Sequence, residues 1–138
     1  MSIYKEAIRL GRKLNKKVVA IKRNFNPPYY KDVVWLYALG PQHFIYLINH
    51  ASMVISNSFH AEVFSLIFNI PCYPYLDRAE EVNERLTSLL KIVDHDHVVT
   101  YMGNGHIDPS IMDYDFHKIN ERLQSFRQET YNRFLSNI

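Results

Sequence analysis

The sequence holds little cysteine and glycine, and it has no long run of apolar residues. A single cysteine, Cys72, excludes an intramolecular disulfide and is typical of a reducing compartment. With only four glycines, the chain contains no P-loop, no GxGxxG dinucleotide motif and no nucleophile elbow. No apolar run approaches the roughly 18 residues that span a bilayer, so we expect no transmembrane segment.

Charge of one sign is also scarce. Sixteen Lys and Arg against 14 Asp and Glu leave a formal charge of +2, which is too small to indicate a nucleic-acid partner. The basic residues near the start of the chain are expected to form a solvated helix face followed by a strand edge. Apolar residues make up 47% of the chain and charged residues 22%, which predicts a globular protein with a real core.

The apolar residues follow a helical period in some segments and form short unbroken runs in others. Residues 3–14 predict an amphipathic helix, whereas the KVVAI run at 17–21 predicts a parallel strand buried on both faces. We predict further strands at 33–39, 53–55 and 72–76, helices at 41–51, 59–68, 80–92 and 114–135, and an irregular segment at 93–113.

Strands and helices therefore alternate at short spacing. This pattern predicts an α/β fold, namely a Rossmann-like three-layer domain with a mostly parallel sheet and helices on both faces. Because no repeat or linker divides the chain, we expect residues 1–138 to form a single domain.

The ISNSFHAEVF stretch is the most informative for function. In open parallel sheets, ligands collect where a strand ends and a helix begins, and Asn57 lies at such a point. Ser58 is a good N-cap, which places Phe59 and His60 in the first turn of the next helix. The free amides and the positive end of that helix favour a phosphate or a carboxylate, and a histidine there can donate to an anion or transfer a proton.

A purely structural role for the same residues is the alternative. Ser58 would then only cap the helix, Phe59 would fix it to the core, and His60 would pack with a satisfied hydrogen bond. On spacing alone this alternative is slightly favoured, since a lone histidine carries little specificity. His95 and His97, with Asp94 and Asp96, are predicted to form a solvated loop rather than a metal site.

The stretch from residue 40 to residue 75 resembles the signature region of the polysaccharide pyruvyl transferase family. The matching residues there are Gly40, Pro41, Phe44, Ile48, Ala51, Val54, Ile55, Ser58, Phe59, His60, Phe64, Ser65, Phe68, Asn69 and Pro71. Further matches are Arg85, Leu89, Leu90, Arg127, Phe134 and Leu135, so the resemblance covers roughly residues 15–138.

The resemblance implies a transferase of polysaccharide or exopolysaccharide biosynthesis. Family members are similar to two-domain GT-B-like enzymes and transfer a pyruvyl group from phosphoenolpyruvate to a sugar hydroxyl. By this resemblance His60 is the catalytic residue, and Asn57, Ser58, Phe59 and Glu62 bind substrate. Phosphoenolpyruvate is the donor substrate, a sugar or glycan is the acceptor, and no cofactor or metal is expected. The expected location is the cytoplasm, and peripheral attachment to the inner face of the membrane is an alternative.

This chain departs from the family pattern after the histidine. Ala61 and Glu62 stand where members usually carry glycine and threonine, and Glu62 is expected to point sideways or to orient His60. The resemblance covers only a C-terminal half, so we expect the N-terminal domain to be absent and the segment to be inactive alone.

Two other functions stay open. The chain could be half of a nucleotide-sugar glycosyltransferase, or a non-catalytic interaction module that self-associates through an exposed apolar face.

Overall fold

The predicted helices and strands are present in the predicted order, with two successive strands after the first helix and one additional strand before the last helix. The computed structural model describes residues 2–22, 29–77, 83–110 and 114–138. The elements are α1 Ile3–Leu14, β1 Val18–Lys22, β2 Val33–Tyr37, α2 Pro41–Asn49, β3 Val54–Ser56, α3 Phe59–Phe68, β4 Cys72–Leu76, α4 Asn83–Ile92, a 3-10 turn at Asp96–Val98, β5 Thr100–Tyr101 and α5 Phe116–Ser136. The predicted helix at 80–92 agrees with α4 from Asn83 onward, and 80–82 lie outside the described residues. The irregular segment contains a strand, β5, that the sequence did not predict.

All strand pairs among the described residues are parallel, but they form two sheets rather than one. Strands β1 and β2 pair along their whole length, from Val18 opposite Val33 to Lys22 opposite Tyr37. Strands β3, β4 and β5 form the second sheet in that order. β4 is its middle strand and is completely buried.

Helices cover both faces of the second sheet, as predicted. Side chains alternate between the faces of a strand, and on β4 Tyr73 and Tyr75 pack against Leu10 of α1. Leu76 points the other way and packs against Leu86 and Leu90 of α4. The resulting helix, sheet and helix layers form a parallel α/β arrangement that is compatible with a Rossmann-like domain.

The expectation that β1 is buried on both faces is wrong. Val19 and Ile21 are 45% and 39% exposed. Val18, on the opposite face, lies toward α1, where a Cβ on Gly11 would come within 2.6 Å of its Cγ2 atom. Among the described residues, only the face of β1 that carries Val18 is covered. The unbroken apolar run of this strand therefore does not mean that both of its faces are buried.

The last helix extends beyond the core. Ile119 and Leu123 near its start pack against Leu66 of α3. Farther along, Phe126, Tyr131, Phe134, Leu135 and Ile138 are exposed. The first four of these residues lie on α5, farther along than the residues that pack, and Ile138 follows the end of the helix. Within the described residues, no helix is both long and apolar enough to cross a membrane.

Candidate functional site

The candidate site lies at the edge where the parallel strands β3, β4 and β5 all end. β3 ends at Ser56, and α3 begins three residues later at Phe59. Ser58 is the N-cap of α3, with an extended backbone and a hydroxyl that accepts from the Ala61 amide at 3.5 Å. The Ser56 hydroxyl in turn accepts from the Ser58 amide at 3.0 Å. Two serines therefore fix the direction in which α3 leaves the sheet, and the predicted cap is confirmed.

The first turn of α3 presents unused hydrogen-bond donors at this edge. In the described part of the chain, the amides of Phe59 and His60 donate to no acceptor. His60 is exposed, whereas the ring of Phe59 is half-buried and packs with Leu76 and Leu90. The centroids of the Phe59 and His60 rings are 5.9 Å apart, with the rings edge to face. His60 is thus not the core histidine of the structural alternative, although Phe59 does fix the helix to the core.

Arg85, in the first turn of α4, reaches the same place from the neighbouring helix. Its guanidinium carbon lies 5.5 Å from the centroid of the Phe59 ring, which is cation–π distance. The next residue, Leu86, is completely buried in the cluster that Phe59 packs against. The burial of Leu86 therefore holds Arg85 beside the start of α3.

Glu62 faces the interior, not the exposed edge. Its side chain is completely buried, and in the part of the chain that the structure describes neither carboxylate oxygen has a hydrogen-bond partner of normal geometry. Burial raises the pKa of Glu62 to about 7, and the neighbouring Cys72 thiol offsets this only in part. Ser65, one turn farther along α3, is also fully buried, and its hydroxyl likewise has no hydrogen-bond partner of normal geometry among the described residues.

Tyr114 closes this buried polar cluster from the segment before α5. Its hydroxyl donates to the backbone carbonyl of Cys72. Burial, reinforced by the nearby Glu62 carboxylate, raises the pKa of the Tyr114 hydroxyl. Burial likewise raises the pKa of the Cys72 thiol, and Glu62 adds to that shift. Both groups therefore stay neutral near pH 7, and neither can supply a positive charge to balance an ionised Glu62.

The prediction of a solvated loop is confirmed for Asp94, Asp96 and His97, which are exposed, and is wrong for His95. His95 is only 4% exposed, and its ring centroid lies 4.1 Å from that of Tyr114 and 4.6 Å from that of His97. The aromatic ring of Tyr114 covers His95 and removes it from water. Across the described ranges, no group of three or more His, Cys, Asp and Glu side chains is placed to hold a metal ion.

The structure brings four of the five predicted site residues together at the exposed edge and places the fifth beneath them. Asn57, Ser58, Phe59 and His60 follow one another around the start of α3, and Glu62 lies on the buried side of the helix. The prediction that Glu62 orients His60 has no contact in support, since its carboxylate lies beside Cys72. Sequence reasoning did not place Arg85 at this edge, although its position at the start of the helix after β4 was a usable signal.

Comparison with known proteins identifies the family. The polysaccharide pyruvyl transferase family matches residues 4–77, which is more than half of the chain and includes the whole start of α3. Arg85 and the later residues of the predicted resemblance lie beyond that match and stay a prediction. No curated protein and no solved structure matches the chain. The family match together with the Ser58, Phe59 and His60 arrangement leads to one conclusion: the chain belongs to the polysaccharide pyruvyl transferase family.

Proposed function

We propose that the start of α3 is the phosphoenolpyruvate-binding half-site of a pyruvyl transferase that modifies a sugar hydroxyl of a polysaccharide precursor. The observation that carries this proposal is the exposed His60 beside two unused amides, inside the segment that matches the family. A helix start with free N–H groups favours a phosphate, because the amides donate to it and the helix dipole attracts negative charge. Ser58 is the residue that keeps these amides at the helix start.

The proposed reaction moves three carbons from phosphate to sugar. The methylene carbon of phosphoenolpyruvate takes a proton and becomes a methyl group, which makes the adjacent carbon electrophilic. A sugar hydroxyl oxygen bonds to that carbon, the bond to the phosphate oxygen breaks, and inorganic phosphate leaves. When a second hydroxyl of the same sugar adds, the product is a pyruvate ketal. The two hydroxyl protons balance the proton taken up by the methylene carbon and the proton released with phosphate.

His60 has two roles compatible with its place. As an acid, its imidazole gives the proton to the methylene carbon. As a donor, it hydrogen-bonds the phosphate and stabilises the charge that develops as phosphate leaves. Both roles need an imidazole that is open to ligand, and His60 is exposed at the helix start. Asn57 and Ser58 line the approach to the same point.

The acceptor side of the reaction lies outside the described site. A GT-B-like arrangement, in which a second Rossmann-like domain forms the other wall of the cleft, is part of this proposal. That wall would hold the sugar and supply the base for its hydroxyl. We accordingly propose that this chain binds donor without turning it over unless the second wall is present. The proposed location is the cytoplasm, where an acceptor at the inner membrane face is also within reach.

The proposal is tested by ligand titration of the full chain, followed by NMR amide shifts and thermal unfolding. Phosphoenolpyruvate is expected to shift the amides of residues 57–62 and to raise the melting temperature. In His60→Ala the affinity for phosphoenolpyruvate is expected to fall about 10-fold, the effect of one lost hydrogen bond to a charged group. His117→Ala removes an exposed histidine from α5 and is the matched control, for which no change is expected.

Two results would contradict the proposal. A nucleotide-sugar that shifts residues 57–62 more strongly than phosphoenolpyruvate would favour the glycosyltransferase function. Absence of any shift with phosphoenolpyruvate, nucleotide-sugar and inorganic phosphate would return the start of α3 to a cap and a packing contact.

A further inference from the structure

We propose that Arg85 is the second anion-binding group of this site and makes it selective for a ligand that carries both a phosphate and a carboxylate. The inference rests on the proposed function, since it concerns the same helix start. It adds a residue outside the family match and a chemical reason for ligand choice.

The position of Arg85 is fixed by packing, although its guanidinium is exposed. Phe59 is the first residue of α3, and its ring is near two polar groups: the His60 ring centroid is 5.9 Å from it and the Arg85 guanidinium carbon is 5.5 Å from it. Buried Leu86 anchors the first turn of α4 against the same ring. A planar guanidinium that packs on an aromatic ring keeps its N–H groups at the rim, where they can still donate.

Arg85 has no carboxylate partner among the described residues, in contrast to three other arginines of the chain. Arg9, Arg12 and Arg122 each pair with an acidic side chain, namely Glu6, Asp32 and Asp94. Within the described ranges, no hydrogen-bond acceptor lies against the Arg85 guanidinium or against the amides of Phe59 and His60. Two separate sets of donors therefore belong to the first turns of two packed helices, and Arg85 of α4 reaches the ring of the first residue of α3.

Each set suits a different anion. The amides at the start of α3 suit a phosphate, because the first N–H groups of a helix point out of its N-terminal end. The guanidinium presents a flat pair of N–H groups that matches the two oxygens of a carboxylate. Phosphoenolpyruvate carries its phosphate and its carboxylate on the same carbon, so one small molecule can engage both sets. Inorganic phosphate can engage only one of them.

The test compares Arg85→Gln with wild type by titration of phosphoenolpyruvate and of inorganic phosphate, with dissociation constants from NMR shifts. In Arg85→Gln we expect the affinity for phosphoenolpyruvate to fall about 10- to 100-fold, the usual loss for paired hydrogen bonds to a charged group. The affinity for inorganic phosphate is expected to stay within about twofold, because a single amide-bound anion does not need the guanidinium. Arg85→Lys keeps the charge but not the planar pair of donors. Its affinity for phosphoenolpyruvate is expected to lie between the affinities of wild type and of Arg85→Gln.

Arg133→Gln is the matched control. Arg133 is an exposed arginine near the end of α5, and within the described residues it too has no carboxylate partner. It should leave both affinities unchanged, and circular dichroism should show the same fold for all variants.

The outcomes separate this inference from the proposed function. If wild type binds phosphoenolpyruvate and Arg85→Gln binds it equally well, Arg85 has no role while the half-site stands. If Arg85→Gln weakens both ligands by the same factor, the guanidinium acts on phosphate alone and the two-anion selectivity is overturned. If wild type binds neither ligand, the proposed function fails and the role of Arg85 falls with it.

Discussion

The backbone amide of Ile107 donates to the carboxylate of Glu6 at 2.8 Å, across a sequence separation of 101 residues. Arg9 binds the same carboxylate at 2.6 Å and donates to the Ile107 carbonyl at 2.7 Å. Nδ1 of His106 lies 2.9 Å from the second carboxylate oxygen. Burial raises the pKa of Glu6, but the hydrogen bonds from Arg9, His106 and the Ile107 amide outweigh it, so the pKa is lowered overall. Glu6 thus joins α1 to the segment after β5.

Glu6→Gln is expected to destabilise the fold. Glutamine keeps one oxygen for the Ile107 amide but loses the charge that holds Arg9, which costs about 1–3 kcal/mol for a buried charge-assisted group. Because the folded pKa lies below the usual 4.5, the Glu6 contribution is present above pH 4.5 and is lost as pH falls through the folded pKa. Urea unfolding at pH 7 and pH 3 measures this difference between variant and wild type.

Glu129→Gln is the control for that experiment, since Glu129 is an exposed glutamate of α5. Its free energy of unfolding should match wild type at both pH values. Equal stability of Glu6→Gln and wild type at pH 7 would contradict a stabilising role for Glu6.

Glu62 is expected to weaken the fold as pH rises. Its folded pKa of about 7 lies above the usual 4.5, so between these values the folded state holds a proton that the unfolded state has released. The contribution of the protonated Glu62 to the free energy of unfolding is fully present below pH 4.5. It declines as the pH rises and is lost above the folded pKa of about 7. The full decline is about 3 kcal/mol, from 1.36 kcal/mol per pKa unit. Denaturant unfolding at half-unit pH steps measures the slope.

Glu62→Gln removes the titrating group and should flatten that slope between pH 5 and pH 8. Ser65→Ala is the matched variant, because it changes the neighbouring buried hydroxyl and leaves the carboxyl in place. It should keep the wild-type slope. The same slope in Glu62→Gln as in wild type would show that another group causes the decline.

Ser58→Ala is expected to cost about 1 kcal/mol of stability, the typical value for a lost N-cap. The alanine cannot accept from the Ala61 amide, so α3 loses the bond that fixes its first turn. Ser58→Asn keeps an oxygen acceptor and should recover most of the loss. Thermal unfolding of the three proteins checks the order, and an alanine variant as stable as the asparagine variant would argue against the cap.

The sequence predicts an element well where the hydrophobic period and the length of the segment indicate the same type of secondary structure. The predicted helix at 59–68 and the strand at 72–76 have the bounds of α3 and β4. β5 could not be found, because a strand of two residues has no period of its own and depends on pairing with Tyr75 and Leu76. Pro74 would normally argue against a central strand, yet β4 lies between two neighbours.

The candidate site is predictable only in the parts that depend on local sequence. The cap at Ser58 and the place of His60 follow from local chemistry, and both are where the sequence puts them. Which face of α3 turns inward does not follow, since apolar residues occupy nearly every side of that helix. For this reason the burial of Glu62 and the approach of Arg85 become visible only when α3 and α4 pack together.

The strand registers give the second sheet a stepped edge. β3 stops at Ser56, opposite Pro74, while β4 continues through Tyr75 to Leu76 and there gains β5 as its neighbour. The end of β3 is therefore recessed by two residues, or about 7 Å at the usual rise of a strand. Because α3 begins at the bottom of this step, a small ligand at its first turn has β4 as a wall on one side. One side of the shelter that such a ligand would have from solvent is therefore built into the sheet itself.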